Sequence, residues 1–250
     1  MKKMKNLNES VTIITGASSG IGAATALLLA KAGSKVVMVA RSQDKVEEII
    51  EDIKKEGGSA EFFLADVTDL EQMRSMVQFT VEKYGKIDNL VNNAGLMLFS
   101  QWKDVAIDEW NRMIDTNIKG YLNTIAVVLP ELLEQGSGHI LNMGSVAGIN
   151  VGVGAGIYHG TKFFVRAITE SLRKEVAVHN GIKVSLISPG VINTGWADKV
   201  TNQEGAEIAA NLNKDAIASE DVAGAVLFAL NQPGNVTVND IVISPTVQNW

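Results

Sequence analysis

The chain has 250 residues, 46% hydrophobic and 20% charged, with 22 basic and 28 acidic side chains for a formal net charge of -6. That is the composition of an ordinary globular protein, and the length suits one α/β domain. The absence of cysteine excludes disulfides, a thiolate nucleophile and thiolate-held metal, the scattered His139, His159 and His179 suggest no zinc site, and an acidic balance without a basic stripe argues against nucleic acid as a partner.

The opening MKKMKNLNES carries lysines with no apolar stretch behind them, and no run approaches the roughly 20 apolar residues of a membrane helix. A cytoplasmic protein without membrane contact is expected. Residues 11–15 form an apolar, β-branched run that leads into a Gly/Ser-rich turn at 16–22 and an Ala/Leu-rich helix over 21–32. Strand-like runs at 35–40, 60–64 and 89–91 then alternate with helical stretches at 43–56 and 70–84, the pattern of βαβ units in a parallel sheet. A long helix follows at 107–135, then a strand at 139–143, a Gly-rich loop through Gly156, and a helix at 158–179 closed by Asn180-Gly181. After a strand at 183–187 and Ser188-Pro189-Gly190, the polar segment 195–214 is a candidate substrate lid. Ser219 is expected to cap a last helix, 220–231, and residues 236–243 a seventh strand. With no linker or repeat, residues 1–250 read as a single Rossmann-type doubly wound domain: about seven parallel strands with helices on both faces.

The turn Thr15-Gly16-Ala17-Ser18-Ser19-Gly20-Ile21-Gly22 opens the first helix, where free amides and the helix dipole favour a phosphate. Its glycine spacing departs from G-x-G-x-x-G. Tyr158 and Lys162, at i and i+4, share one helix face, and an ammonium beside a phenol favours the phenolate that acid/base work near neutral pH requires. Ser145 stands at the carboxyl end of a strand, where open α/β sheets bind ligands. Asn117 in mid-helix competes for backbone hydrogen bonds and points to a polar role or a local kink.

Taken in order, the T-G-x-x-x-G-I-G turn, Asn92-Asn93-Ala94-Gly95, Asn117, Ser145 and the Tyr158-x-x-x-Lys162 pair thirteen residues later make the chain resemble the short-chain dehydrogenase/reductase family over essentially its whole length. The resemblance implies an oxidoreductase that moves a hydride between a nicotinamide and a carbonyl or secondary alcohol carbon. It implies Tyr158 as the acid/base, Ser145 holding the substrate oxygen, Lys162 supporting Tyr158, and Asn117 positioning a water beside Lys162. Cofactor contacts fall to Gly16, Ser18, Ser19, Gly20, Ile21 and Gly22. Asp66 would receive the adenine amino group with Val67 beside it, Asn92, Ala94 and Gly95 would line the adenosine-ribose side through backbone groups, and Thr194 would meet the carboxamide. Tyr158, Lys162, Pro189, Gly190 and Ile192 complete the set. At the end of the second strand Ala40 lacks a carboxylate for the ribose hydroxyls, whereas Arg41 can pair with a 2′-phosphate, so NADP(H) is favoured over NAD(H). Ser19 stands where the family often adds a second basic residue, which makes that preference modest.

The substrate side should draw on Leu96, Ser145, Val151, Tyr158, Val191 and Trp196, mostly apolar and without an arginine to pair a carboxylate, which suggests a small or medium apolar ketone. The tail at 236–243 resembles a subgroup acting on 3-hydroxy acids and serine-like compounds, so a polar substrate stays open. A nucleotide-sugar epimerase would need more residues, and a non-catalytic dinucleotide-sensing regulator would be expected to lose Ser145, Tyr158 or Lys162. Surplus apolar arc on the helices 107–135 and 158–179 suggests pairing with a second copy across a two-fold axis, with a further apolar contact at Trp250, and the family resemblance implies a homotetramer.

Overall fold

The computed structural model describes residues 7–99, 101–196, 200 and 203–249. From β1 (Val11–Thr15) the chain passes through α1 (Gly20–Lys31), β2 (Lys35–Ala40), α2 (Gln43–Lys55), β3 (Ser59–Leu64), α3 (Leu70–Tyr84) and β4 (Asn89–Asn92). Next come α4 (Ile107–Ile114), a π-helical turn (Asp115–Lys119), α5 (Gly120–Gln135) and β5 (Gly138–Met143). After these stand α6 (Gly156–Leu172), a second π turn (Arg173–Ala177), the single turn α7 (Val178–Asn180) and β6 (Ile182–Pro189). The chain ends with α8 (Gln203–Asn213), α9 (Ser219–Leu230) and β7 (Asp240–Ile243).

All seven strands pair in parallel, in the order β3-β2-β1-β4-β5-β6-β7. The period-two alternation of a strand explains the two cores. Ile13, Val37 and Val39 point to one face, where Met73, Met76 and Val77 of α3 and Val127, Val128 and Leu132 of α5 cover them. Ile14, Val36 and Met38 point to the other, under Ala26 and Leu29 of α1 and Val222 and Val226 of α9. Both layers are needed because the central strands are buried on both sides. The order of strands reverses direction between β1 and β4, and such a switch point opens a crevice at the carboxyl ends of the strands.

Several boundaries differ from the sequence reading, each for a local reason. The seventh strand is only β7, because residues 233–238 are spent elsewhere: Val236 N–H donates to the Pro233 carbonyl (2.9 Å) and the Ser185 hydroxyl donates to the Val238 carbonyl (2.6 Å). The cap of α9 is Ala218, not Ser219; the Asp221 carboxylate accepts from the Ala218 amide (2.9 Å), while Ser219 Oγ turns to the Asn193 carbonyl (3.5 Å). The stretch 107–135 runs as one rod interrupted by the π turn around Asn117, and 158–179 contains a π turn of its own. Within 195–214 the helix α8 forms; residues 197–199, 201 and 202, like Trp250, lie outside the described residues. Among the described residues, no helix is long and apolar enough to cross a membrane.

Candidate active site

The turn between β1 and α1 is shaped by its glycines. Gly16 (φ +67°) and Gly20 (φ +54°) hold left-handed backbone that favours glycine, and a Cβ on Gly16 would stand 2.8 Å from the Ala94 Cα. A Cβ on Gly20 would stand 2.8 Å from the Thr194 side chain, so this turn and the segment after β6 touch across the crevice. Ser19 caps α1 with no side-chain hydrogen bond, and no acidic residue stands in the first turn. The first amides of α1 are therefore left for an anion, which is what a dinucleotide pyrophosphate requires. The residues fit such a group.

The bracing of this turn comes from Thr15 and Asn93. Thr15 Oγ1 accepts from the amides of Asn93 and Ala94 (both 3.0 Å), and Asn93 Nδ2 donates to the carbonyls of Thr15 (2.9 Å) and Gly16 (3.3 Å). Asn92, expected on the ribose side through its backbone, turns its side chain into the interior, where its Nδ2 donates to the Tyr121 carbonyl (3.2 Å), and is not among the residues lining the crevice. Gly22 likewise stays off the crevice wall: a Cβ there would run into the Gly16 carbonyl oxygen. Strand alternation explains the first exchange, since neighbours at a strand end face opposite ways.

Across the crevice, α6 carries Tyr158 and Lys162 on one face. Lys162 is buried; its Nζ donates to the Met143 carbonyl (2.9 Å) and lies 5.8 Å from the Tyr158 ring centre and 5.6 Å from that of Tyr121. Burial alone pulls the Lys162 ammonium down to about 8. Burial also pushes the Tyr158 phenol above its ordinary value, with the neighbouring Ser145 hydroxyl pulling it partly back. Desolvation thus dominates, where the sequence led one to expect a lowering by the ammonium, and it favours the protonated phenol. Tyr121 of α5 is fully buried beneath this cluster, and its hydroxyl donates to the same Met143 carbonyl (2.9 Å).

Ser145 sits at the end of β5, its Oγ accepting from the Ala147 amide (3.1 Å) and lying 3.4 Å from the Pro189 carbonyl. Asn117 is buried in the π turn. Its Oδ1 accepts from the Leu96 amide (2.9 Å), and its Nδ2 donates to the Leu96 carbonyl (2.8 Å) and to Thr161 Oγ1 (3.1 Å). The side chain ties the exit of β4 to α6. A Cβ on Gly95 would lie 3.3 Å from Asn117 Oδ1 and 3.9 Å from Lys162 Nζ, so the three meet at one point.

These walls enclose a cavity of about 770 Å³. Of the residues expected at the cofactor, Gly16, Ser18, Ser19, Gly20, Ile21, Arg41, Asp66, Val67, Ala94, Gly95, Pro189, Gly190, Ile192 and Thr194 line it, as do Tyr158 and Lys162. Of the substrate residues, Leu96, Ser145, Val191 and Trp196 line it; Val151, carried outward on an exposed loop, does not. Arg41 pairs with Asp66 at 3.5 Å while its side chain stays 70% exposed. Burial pushes the Asp66 carboxyl up, but hydrogen bonds from the Thr68 amide and hydroxyl, with Arg41 beside it, hold it below the usual value.

The cavity also holds polar groups that sequence reasoning missed. Glu109 and Arg112 reach it from α4, and His159 and Gln248 add to them. Gln248 Oε1 accepts from the Val191 amide (2.9 Å), so the C-terminal segment braces the stretch after β6. The signal for Arg112 was available: on a helix it precedes Thr116 by four positions, and both line the cavity.

Fold and crevice together define a Rossmann-type, dinucleotide-dependent oxidoreductase. Residues 10–205 match the model of the short chain dehydrogenase family, and the chain belongs to that family. It is 43% identical over 246 residues to an uncharacterised oxidoreductase of Listeria monocytogenes, a match spanning 98% of this chain and 99% of the relative. Among solved structures it is similar to the closed form of serine dehydrogenase complexed with NADP+, at 29% identity and TM-score 0.87 over 96% of each chain. It is also similar to NAD+-bound xylitol dehydrogenase, at 28% identity and TM-score 0.86 over 95% of this chain and 98% of that one.

Proposed function

We propose that the protein interconverts a carbonyl compound and a secondary alcohol, with Tyr158 as the acid/base and NADP(H) preferred over NAD(H). The observation that carries the reading is the cluster of buried Lys162 and Ser145 with half-buried Tyr158, facing the glycine turn across one crevice. A bound nicotinamide dinucleotide would supply or accept the hydride. Gly16, Ser18, Ser19, Gly20 and Ile21 would hold its pyrophosphate, Asp66, Val67, Ala94 and Gly95 its adenosine, and Pro189, Gly190, Ile192 and Thr194 its nicotinamide side. Ser145 hydrogen-bonds the substrate oxygen and orients it. Tyr158 gives that oxygen its proton in reduction and takes it back in oxidation. Lys162 keeps a positive charge beside the phenol, and Asn117 positions a water that returns the proton. Arg41 pairs with the 2′-phosphate; the same role would release it from Asp66.

Leu96, Phe99, Val191, Trp196, Ile208 and Leu212 make the substrate space largely apolar, in keeping with a ketone. Arg112 supports a second reading, a hydroxy-acid substrate. Helix α8, which brings Ile208 and Leu212 to the cavity, acts as the substrate cover. The exposed Leu122 (44%) of α5 and Phe163 (41%) of α6 support a homotetramer, and the protein works in the cytoplasm. Light scattering on the purified protein is expected to give a mass near four chains; a monomer overturns the assembly. Initial rates with both nicotinamides over a panel of ketones and hydroxy acids test the activity: turnover with NADP(H) supports it, and no turnover with any member overturns it.

A further inference from the structure

The residue after the proposed acid/base is a histidine whose ring is held at both nitrogens. His159 Nδ1 lies 3.0 Å from the Ala147 carbonyl oxygen, and His159 Nε2 lies 3.1 Å from the Gly152 amide nitrogen. A carbonyl can only accept and a backbone amide can only donate, so these partners assign the tautomer: Nδ1 carries the hydrogen and Nε2 is bare. This is a neutral imidazole bridging two points of the loop that follows Ser145.

The bridge reaches the reactive centre through Ala147. Its carbonyl accepts from His159 and its amide donates to Ser145 Oγ (3.1 Å), so the residue whose amide orients the Ser145 hydroxyl is held at its next peptide unit by His159. The 3-10 turn Val146–Gly148 lies directly on α6: a Cβ on Gly148 would stand 2.6 Å from the Lys162 carbonyl. Beyond it the loop is thinly anchored, with Val151 63% and Val153 91% exposed, yet Asn150, Gly152, Val153 and Ala155 line the cavity. The Gly152 hydrogen bond ties this outer part to α6.

We propose that His159 is a positioning residue and a proton-sensitive clasp: neutral, it holds the 149–155 loop and the Ser145 turn against α6; protonated, it lets the outer loop go. Protonation places an N–H on Nε2 opposite the Gly152 N–H, so the bond that closed the loop becomes a repulsion between two donors, while the Nδ1 bond to Ala147 survives. The loop 147–155 carries no titratable side chain. The groups that face the imidazole from other elements are Tyr158, its ring centre 6.4 Å away, and Lys162 of α6, with Glu109 and Arg112 of α4 on the same cavity. Lys103 and Asp104 stand on the turn Trp102–Asp104, whose Trp102 packs on Gly156 at the start of α6. Imidazole ordinarily changes charge between about pH 5 and 8, and the Lys162 ammonium, lowered to about 8 by burial, changes at the upper edge of that range.

The consequence for Ser145 rests on the reading of that residue as the substrate anchor; the clasp itself is tested without substrate. Hydrogen–deuterium exchange of the full-length protein, followed on peptides covering 149–155 and corrected for the intrinsic pH dependence of exchange, is compared at about pH 8 and about pH 5.5. In the wild type the loop is expected to exchange roughly tenfold faster at the acid pH, the factor set by losing about one hydrogen bond. His159→Gln, which keeps a donor and an acceptor but does not titrate, is expected to show no such rise. His159→Phe, which fills the ring's space with neither, is expected to leave the loop open at both pH values. An unchanged wild-type loop, an acid rise retained in His159→Gln, or a protected loop in His159→Phe would each overturn the clasp, whatever the enzyme's substrate proves to be.

Discussion

The two walls of the crevice are built on different principles. The glycine wall, from Gly16 to Ile21 with Thr15, Gly22 and Asn93 to Gly95 packed on it, is backbone packed on backbone, and an added Cβ at Gly16, Gly20 or Gly22 meets an atom at once. The opposite wall is made of side chains, Ser145, Tyr158 and Lys162, projected from β5 and α6, with a loop beside them that is largely exposed. A wall of backbone has one shape and suits the invariant part of a ligand. A wall of side chains and loop can change its chemistry and its hold, and suits the part where the reaction occurs.

The largest effect is expected on the side-chain wall. Tyr158→Phe removes only the proton donor, so turnover should fall by at least about a hundredfold, as general acid–base catalysis is normally worth, while dinucleotide affinity stays within about twofold. Steady-state rates and a fluorescence titration check the two halves. Turnover above roughly a tenth of wild type would remove Tyr158 from the chemistry.

Gly22→Ala attacks the other wall without touching the cavity. The added Cβ would meet the Gly16 carbonyl and lie 2.7 Å from Asn93 Nδ2, so the turn must shift. Overpacking of this kind costs about 1–3 kcal/mol, and dinucleotide affinity should fall by more than about tenfold as the cradle distorts. Chemical denaturation and the same titration report both; wild-type affinity would show that the turn adapts.

Arg41→Asp sharpens the comparison at the rim, where a side chain supplements the backbone wall. The ratio of kcat/KM for NADP(H) over NAD(H) should drop by roughly tenfold, in line with the loss of a hydrogen bond to a charged group. An unchanged ratio assigns the 2′-phosphate to another residue.

The smallest effect is on stability. Lys162 titrates near 8 in the folded protein instead of its ordinary 10.5, so between those values the unfolded chain binds more protons, and stability should climb as pH rises across that window. Below it the buried charge is a cost. Lys162→Met should therefore stabilise the protein at pH 7 by ~1–3 kcal/mol, or a few degrees in Tm, because the Met143 carbonyl keeps its bond from the Tyr121 hydroxyl. The same variant should lose turnover, and wild-type turnover should decline as pH rises through about 8, where the ammonium discharges. A thermal melt lower than wild type at pH 7 would mean that the lysine is a structural support and not a tolerated strain.

Whatever depended on neighbours along the chain was legible in the sequence. Alternating apolar runs and helices specify a parallel, doubly wound sheet because each strand must bury both faces, and the spacing of Gly16, Gly20 and Gly22 specifies a tight strand-to-helix turn because only glycine tolerates that backbone and that crowding. Tyr158 and Lys162 share a face by helix geometry alone. Tertiary packing decided the rest. It turned Asn92 inward and put Asn93 on the turn, brought Arg112 and Glu109 to the cavity, and seated Tyr121 under Lys162. It also set the balance of charge, since desolvation, which raises the Tyr158 phenol and lowers the Lys162 ammonium, depends on how much protein surrounds a group, and no spacing of residues along a chain encodes that.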